Sequence, residues 1–236
     1  MSGEKAIIVA SDEAFQTKLG EWPDGQRGLL IQRKVNGPRH NLYFAAHKGN
    51  LIRLCEARIT RTDRPDGTGL AVDGETVVPD PARTAYLQAI AADLSYTGIG
   101  CAQFLVDPNT GESWFLEINP RVAGNHAVPE AAGLGLGPLS ISLARGEVAQ
   151  GPLFIGKPGL RYAWSYGDLS RVKRLWQKPN RASIRTIVSA VIESLNTALR
   201  ADIHMTWCWS DPMPTLTLYG RLLTRGRNLV ATEGDT

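Results

Sequence analysis

Residues 101–121 read CAQFLVDPNTGESWFLEINPR, and they place Gln103, Glu117, Asn119 and Arg121 among residues that otherwise favour apolar strands. Side chains alternate along a strand, so Glu117 and Asn119 share one face while Leu116 and Ile118 share the other. The stretch DPNTGE carries Asp, Pro, Asn and Gly, all of which favour a reversal, and predicts an antiparallel hairpin. With the reversal centred near Thr110, Gln103 faces Glu117 directly across the ladder, with Cβ atoms about 5 Å apart. A carboxylate and two amide oxygens then converge. This hard, oxygen-only set suits Mg²⁺ (or Mn²⁺), with the remaining positions taken by water and phosphate oxygens. Arg121 follows a proline that stiffens the strand exit and offers a planar fork of donors to phosphate. In a buried strand an unpaired charge costs several kcal/mol, so these groups need partners. Taken singly, Glu117 and Arg121 also read as an ion pair at a strand end with Gln103 as a core amide; the ordered set of four favours the ligand site.

The elements that must position this set follow from local signals. KAIIVAS reads as a strand and SDEAFQTKL as a helix with a Ser/Asp start and an acidic first turn. GLLIQRKV reads as a second strand. After the stop Asn36-Gly37-Pro38, NLYFAAHKGNLIRLCEARIT predicts a hairpin with its tip at Lys48-Gly49-Asn50. RTDRPDGTG reads as a loop. Asp80-Pro81 opens a helix that closes at Gly98, with Asp as cap and Pro at the first helical position. In the tail, ASIRTIVSAVIESLNTALR aligns Ile184, Ile187, Val188, Val191, Ile192, Leu195 and Leu199 on one stripe, predicting an amphipathic helix docked on a core. The stretch PLFIGKPG, residues 152–159, is the best candidate for a boundary, dividing residues 1–150 from a C-terminal extension at 151–236.

Composition limits the classes of function. The chain has 236 residues, is 43% hydrophobic, and contains no apolar run long enough for a membrane span. Its N-terminus shows no secretory pattern, so a cytoplasmic location and no membrane partner are expected. Three scattered cysteines suit neither a disulfide framework nor a zinc site. The net charge of +3 arises wholly in the last third: residues 1–150 hold 14 Lys+Arg against 17 Asp+Glu, and residues 151–236 hold 12 against 6. Without regularly interleaved aromatics this excess does not predict nucleic-acid binding. None of the four histidines stands beside a Ser or Cys in a nucleophilic motif.

The stretch QFLVDPNTGESWFLEINPR, followed by AGNHAVPEAAGLGLGPLSISLARGE, resembles the C-terminal half of the ATP-grasp domain, in its carbamoyl phosphate synthetase and carboxylate–amine ligase branch. The resemblance covers roughly residues 1–147. It implies an α+β fold, an antiparallel sheet with packed helices, N-terminally incomplete relative to the family. It assigns metal binding to Gln103, Glu117 and Asn119 and contact with the transferring phosphate to Arg121. GLLIQRKVNGPRHNLYFAAHKGNLI is similar to the family's adenine hinge and the hairpin after it, placing nucleotide binding at Gln32, Arg33, Lys34 and Val35. Where the family usually carries acidic residues near this hinge, Arg33, Lys34 and Arg39 stand here. Lys5 aligns with the end of the family's phosphate-binding loop.

The expected function is an ATP- and Mg²⁺-dependent ligase that joins a carboxylate to an amine or thiol through an acyl phosphate. Arg64, Thr68 and His126 are candidates for contact with the carboxylate substrate. A protein partner would supply the missing N-terminal half. The alternative is a non-catalytic module derived from the same fold that binds nucleotide or protein.

Overall fold

The computed structural model describes residues 8–21, 31–64, 67, 69–148, 151–177 and 183–224. The chain forms two compact units, residues 1–36 and 37–236. In the first, α1 (Asp12–Gly20) starts as its sequence requires: Ser11 is extended and its hydroxyl accepts from Ala14 N–H. Residues 5–7 of the strand expected at KAIIVAS and residues 28–30 of GLLIQRKV lie outside the described residues; residues 8–10 have no regular structure, so the first expected strand does not extend through them. Residues 31–36 have no regular structure, so the expected second strand does not extend through them.

The second unit is built on one eight-stranded sheet. Its strands β1 (Arg39–His47), β2 (Asn50–Thr62), β3 (Ala71–Val77), β4 (Gly98–Val106), β5 (Ser113–Asn119), β6 (Phe154–Ile155), β7 (Arg161–Ala163) and β8 (Ile203–His204) run in the order β5-β4-β1-β2-β3-β7-β8, with β6 paired to β2. All neighbours are antiparallel except β2–β6 and β7–β8. Thus β6, β7 and β8, all from beyond residue 150, complete the sheet begun by the earlier strands. The β1–β2 tip is where the sequence puts it, with Lys48 and Gly49 both at positive φ (49° and 81°).

Helices cover both faces. One core joins Leu42, Phe44, Leu54, Ala102 and Phe104 to Leu87 and Ala91 of α2 (Pro81–Asp93). The other joins Tyr43, Ala45, Cys55, Ala57, Ile59 and Cys101 to Val128 of α3 (Ala127–Ala131) and Leu136 and Leu143 of α4 (Leu136–Arg145). The start of α2 follows its signal, with Asp80 accepting from Arg83 N–H and Pro81 in the first turn.

A buried ionic network locks this start to the sheet. Glu56, fully buried on β2, accepts from Arg83 Nη2 (2.7 Å) and Nε (3.0 Å) and from Asp80 N–H (2.9 Å), and lies 2.5 Å from His40 Nδ1. Arg83 Nη1 then donates to Ser113 Oγ at 2.9 Å, fastening the beginning of β5. Burial pushes the Glu56 carboxyl upward, but His40, the Asp80 N–H and Arg83 outweigh it and hold the group below its ordinary value.

After β7 come α5 (Ser165–Gln177), α6 (Ile184–Arg200) and α7 (Met213–Thr224). The tail helix α6 forms as expected, but its apolar stripe is not what docks. It rests on Ile187, Ala190 and Ser194, while Ile184, Val188, Val191, Ile192, Leu195 and Leu199 face solvent. Polar anchors explain the rotation: Glu193 meets Arg61 Nε (3.4 Å) and Arg171 Nη2 (2.7 Å), and Thr197 accepts from Arg61 Nη2 (2.9 Å).

Candidate metal and nucleotide site

The β4–β5 ladder pairs Gln103 with Glu117 and Cys101 with Asn119, and the β1–β4 ladder pairs Asn41 with Gln103 and Tyr43 with Cys101. Paired residues share a face. One row across three strands is therefore Asn41–Gln103–Glu117, and the row beside it is Tyr43–Cys101–Asn119. At strand spacing, the backbone at Asn41 stands about 10 Å from that at Glu117. Asn119 Nδ2 donates to Glu117 Oε1 at 2.8 Å, which aims the amide oxygen of Asn119 away from the carboxylate.

The ladder has one irregularity, between Gln103 and Phe104, where Phe104 pairs with Phe115. Leu116 is the extra residue of this bulge. Strict alternation predicts that Leu116 joins Ile118 in the core; instead Ile118 packs against the α2 core, Phe115 meets Phe104 edge-on at 5.6 Å, and Leu116 is exposed. A second correction concerns burial. β5 is the edge of the sheet and Glu117 is exposed, so the strand is not the buried one its composition suggests.

Beyond Asn119 the chain turns at once: Arg121 N–H donates to Asn119 O (2.9 Å) across Pro120, a three-residue turn suited to proline's fixed φ. Arg121 is exposed, with Nη1 donating to the Val122 carbonyl at 3.1 Å. Its charge is felt at Cys101, whose thiol is pushed up to about 12, chiefly by burial and further by Glu117, against the pull of Arg39 and Arg121.

The loop after Arg121 crosses this face. Asn125 Nδ2 donates to Tyr43 Oη, and Asn41 Nδ2 donates to the same oxygen at 3.2 Å. Asn41 Oδ1 and Arg39 Nε are buried and have no hydrogen-bond partner among the described residues. Sequence reasoning did not single out Asn41, Tyr43 or Asn125. The available signal was the odd-numbered polar series Arg39, Asn41, Tyr43 on one face of a strand whose other face is apolar. His126 Nε2 lies 3.2 Å from Glu130 Oε1, and Glu130 Oε1 accepts from Leu136 N–H at 2.6 Å, so both serve the turn into α4.

The remaining candidates are dispersed. Arg64 is an exposed residue of the loop between β2 and β3, a loop held toward β1 by Arg39 Nη1 donating to Gly69 O at 3.3 Å. Thr68 and Lys5 lie outside the described residues. Gln32, Arg33, Lys34 and Val35 belong to the first unit, in chain without regular structure. The structure therefore brings Gln103, Glu117 and Asn119 together on one face of the sheet edge and sets Arg121 just past it.

A mixed sheet whose edge hairpin carries oxygen donors and an arginine is the architecture of an ATP-grasp protein. The profile of the family described as "Carbamoyl-phosphate synthase L chain, ATP binding domain" matches residues 6–150, more than half of the chain, and the chain belongs to that family. Among individual relatives, pyruvate carboxylase of Pichia angusta is 30% identical over 146 residues, covering 58% of this chain and 12% of the relative. Biotin carboxylase of Nostoc sp. is 30% identical over 131 residues, covering 52% and 28%. A biotin carboxylase from Campylobacter jejuni, solved as a β,γ-ATP complex, superposes with TM-score 0.40 at 24% identity, over 51% of this chain and 28% of that one. The chain thus spans well under a third of the length of these relatives.

Proposed function

We propose that the protein is the nucleotide-handling part of an ATP-dependent carboxylate ligase, with residues 1–150 as its ATP-grasp portion and 151–236 as a C-terminal extension. The observation that carries this reading is the Gln103–Glu117 pairing with Asn119 alongside, which sets three oxygen donors on one face next to Arg121. The donor set fits a hard divalent cation, because it offers one carboxylate charge and neutral amide oxygens at an edge open to a phosphate chain. Gln103, Glu117 and Asn119 would hold Mg²⁺ or Mn²⁺. When bound, the ion neutralises charge on the phosphate oxygens of ATP.

In the reaction, a carboxylate oxygen attacks the γ-phosphorus, the β–γ bridging bond breaks, and ADP leaves with that electron pair. An amine or thiol then adds to the acyl carbon and expels phosphate. Arg121 donates to the transferring group, whose negative charge spreads outward in the transition state. Its exposure supports that role, since among the described residues its guanidinium bonds to a neighbouring carbonyl. Asn41 and Arg39, with unused hydrogen-bonding atoms beside this row, suit the recognition of a polar acceptor. Gln32 to Val35 and Lys5 would contribute to nucleotide binding through backbone and charge, while Arg64, Thr68 and His126 remain proposed contacts to the carboxylate. A partner supplying the family's preceding half belongs to this reading, as does a cytoplasmic location; among the described residues, no helix is long and apolar enough to cross a membrane.

The test is hydroxylamine trapping with ATP, Mg²⁺ and a panel of carboxylates. Matched ADP and acyl hydroxamate formation that Arg121→Ala abolishes supports the ligase. Nucleotide binding with neither product supports a non-catalytic module.

A further inference from the structure

The exposed stripe of α6 is the largest departure of this fold from ordinary surface chemistry. Ile184, Val188, Val191, Ile192, Leu195 and Leu199 lie within about 100° of one another around the helix, and their exposures run from 36% to 83%. Together they present on the order of 700 Å² of apolar surface, above the few hundred Å² expected of the largest patch on a monomer. Left in water, a surface of that size forgoes many kcal/mol of burial.

The spacing makes the stripe a continuous seam along the helix. Ile184, Val188, Val191, Leu195 and Ala198 follow one another at intervals of 4, 3, 4 and 3 residues, the alternation of a seam that packs against another helix. Ile192 and Leu199 widen the seam on one side, as in bundle helices. Glu193, the helix's single acid, is turned away to Arg61 and Arg171 and so leaves the stripe free of carboxylate.

α6 lies outside residues 6–150, the stretch matched by the family profile.

We propose that α6 is a dimerisation helix that packs antiparallel against α6 of a second copy of this chain. The stripe is centred between Val191 and Ile192. A two-fold axis there lays Val188 of each copy against Leu195 of the other and Ile184 against Leu199, so one surface satisfies itself. Two copies bury roughly 1,400 Å², within the range of stable specific interfaces.

Sedimentation velocity of the full chain, from about 1 to 100 µM, reads the outcome directly. The expected result is a species of twice 25.7 kDa. Leu195→Glu places a charge on an exposed position, so it leaves the far-ultraviolet circular-dichroism spectrum of the folded chain unchanged and raises the dimer dissociation constant at least 100-fold. In a Cys208→Ser background, Val191→Cys forms an oxidised covalent dimer, and Ser189→Cys, on another face of the helix, does not. A wild-type chain that stays monomeric across the range overturns the proposal, and flotation of that monomer with phosphatidylserine-containing vesicles would reassign the stripe to a membrane surface. A dimer that survives Leu195→Glu, or cross-links at 189 and not at 191, also overturns it.

Discussion

Gln103 and Glu117 are direct partners across the β4–β5 ladder, and the ladder's one bulge begins on the very next residue. The bulge therefore separates two jobs in a single hairpin. On one side of it the regular ladder holds Gln103, Glu117 and Asn119 on a common face; on the other, Phe115 is turned to Phe104 and fastens the strand to the core.

The Arg121 side chain is exposed and, among the described residues, bonds to the adjacent Val122 carbonyl, so its truncation is expected to leave the fold intact. Arg121→Ala is expected to lower the rate of ADP formation by 100-fold or more while changing ATP affinity less than about threefold. Single-turnover kinetics beside equilibrium titration checks this. Equal losses in both would make the arginine a ground-state phosphate clamp.

The Glu56 network predicts a stability that depends on pH. Its folded carboxyl lies below the unfolded value of about 4.3, so the stabilisation is fully present above that pH and is lost as the pH falls through the folded value. Glu56→Gln leaves Arg83 buried without its charge partner and is expected to cost roughly 3–5 kcal/mol at neutral pH. Urea unfolding between pH 7 and pH 3 measures both, and the variant's stability should fall less steeply than the wild type's over the acid range.

Gly100 couples packing to the site. A Cβ there would stand 2.8 Å from the Phe44 ring and 3.0 Å from the Asn119 carbonyl oxygen. Gly100→Ala is expected to cost about 1–3 kcal/mol by overpacking and to weaken Mg²⁺-dependent nucleotide binding by displacing β5 at Asn119. Thermal unfolding and calorimetry on the same sample check the two effects together.

The three cysteines should separate cleanly by reactivity. Cys55 and Cys101 are buried, which pushes each thiol up to about 12, whereas Cys208 is exposed and lowered by its hydrogen bond with Ser210. A disulfide reagent at pH 8 is expected to label one thiol per native chain and three after denaturation. Cys208→Ser should abolish the native reaction.

Much of the site was legible in the sequence because its signals are local. The Asp-Pro-Asn-Thr-Gly reversal sets the start of the β4–β5 hairpin, pairing Val106 with Ser113; that register alone would set Gln103 opposite Leu116, and the bulge at Leu116 moves it onto Glu117. Asp80-Pro81 and Lys48-Gly49 mark their helix start and turn for equally local reasons. What failed was decided by tertiary context. The periodicity of α6 identifies an apolar stripe but not which side meets the sheet; that was fixed by Arg61 and Arg171, remote in sequence, capturing Glu193 and Thr197. Likewise the exposure of β5 follows from its place at the edge of the strand order, and Leu116 from a bulge with no glycine or proline to announce it. Asn41 and Tyr43 gain meaning only once β1 is known to lie beside β4.

The account rests on the oxygen-donor face at the sheet edge, and isothermal calorimetry with ATP, with and without Mg²⁺, tests it most directly when run on the wild type and Glu117→Gln. Glu117 is exposed and, among the described residues, its side chain bonds to Asn119, so the variant should melt like the wild type. The expected result is magnesium-dependent binding that Glu117→Gln weakens by about 10- to 100-fold, a loss of roughly 1.4–2.8 kcal/mol. Equal affinity in the two proteins, or no dependence on magnesium, would contradict the assignment of Gln103, Glu117 and Asn119 to the metal.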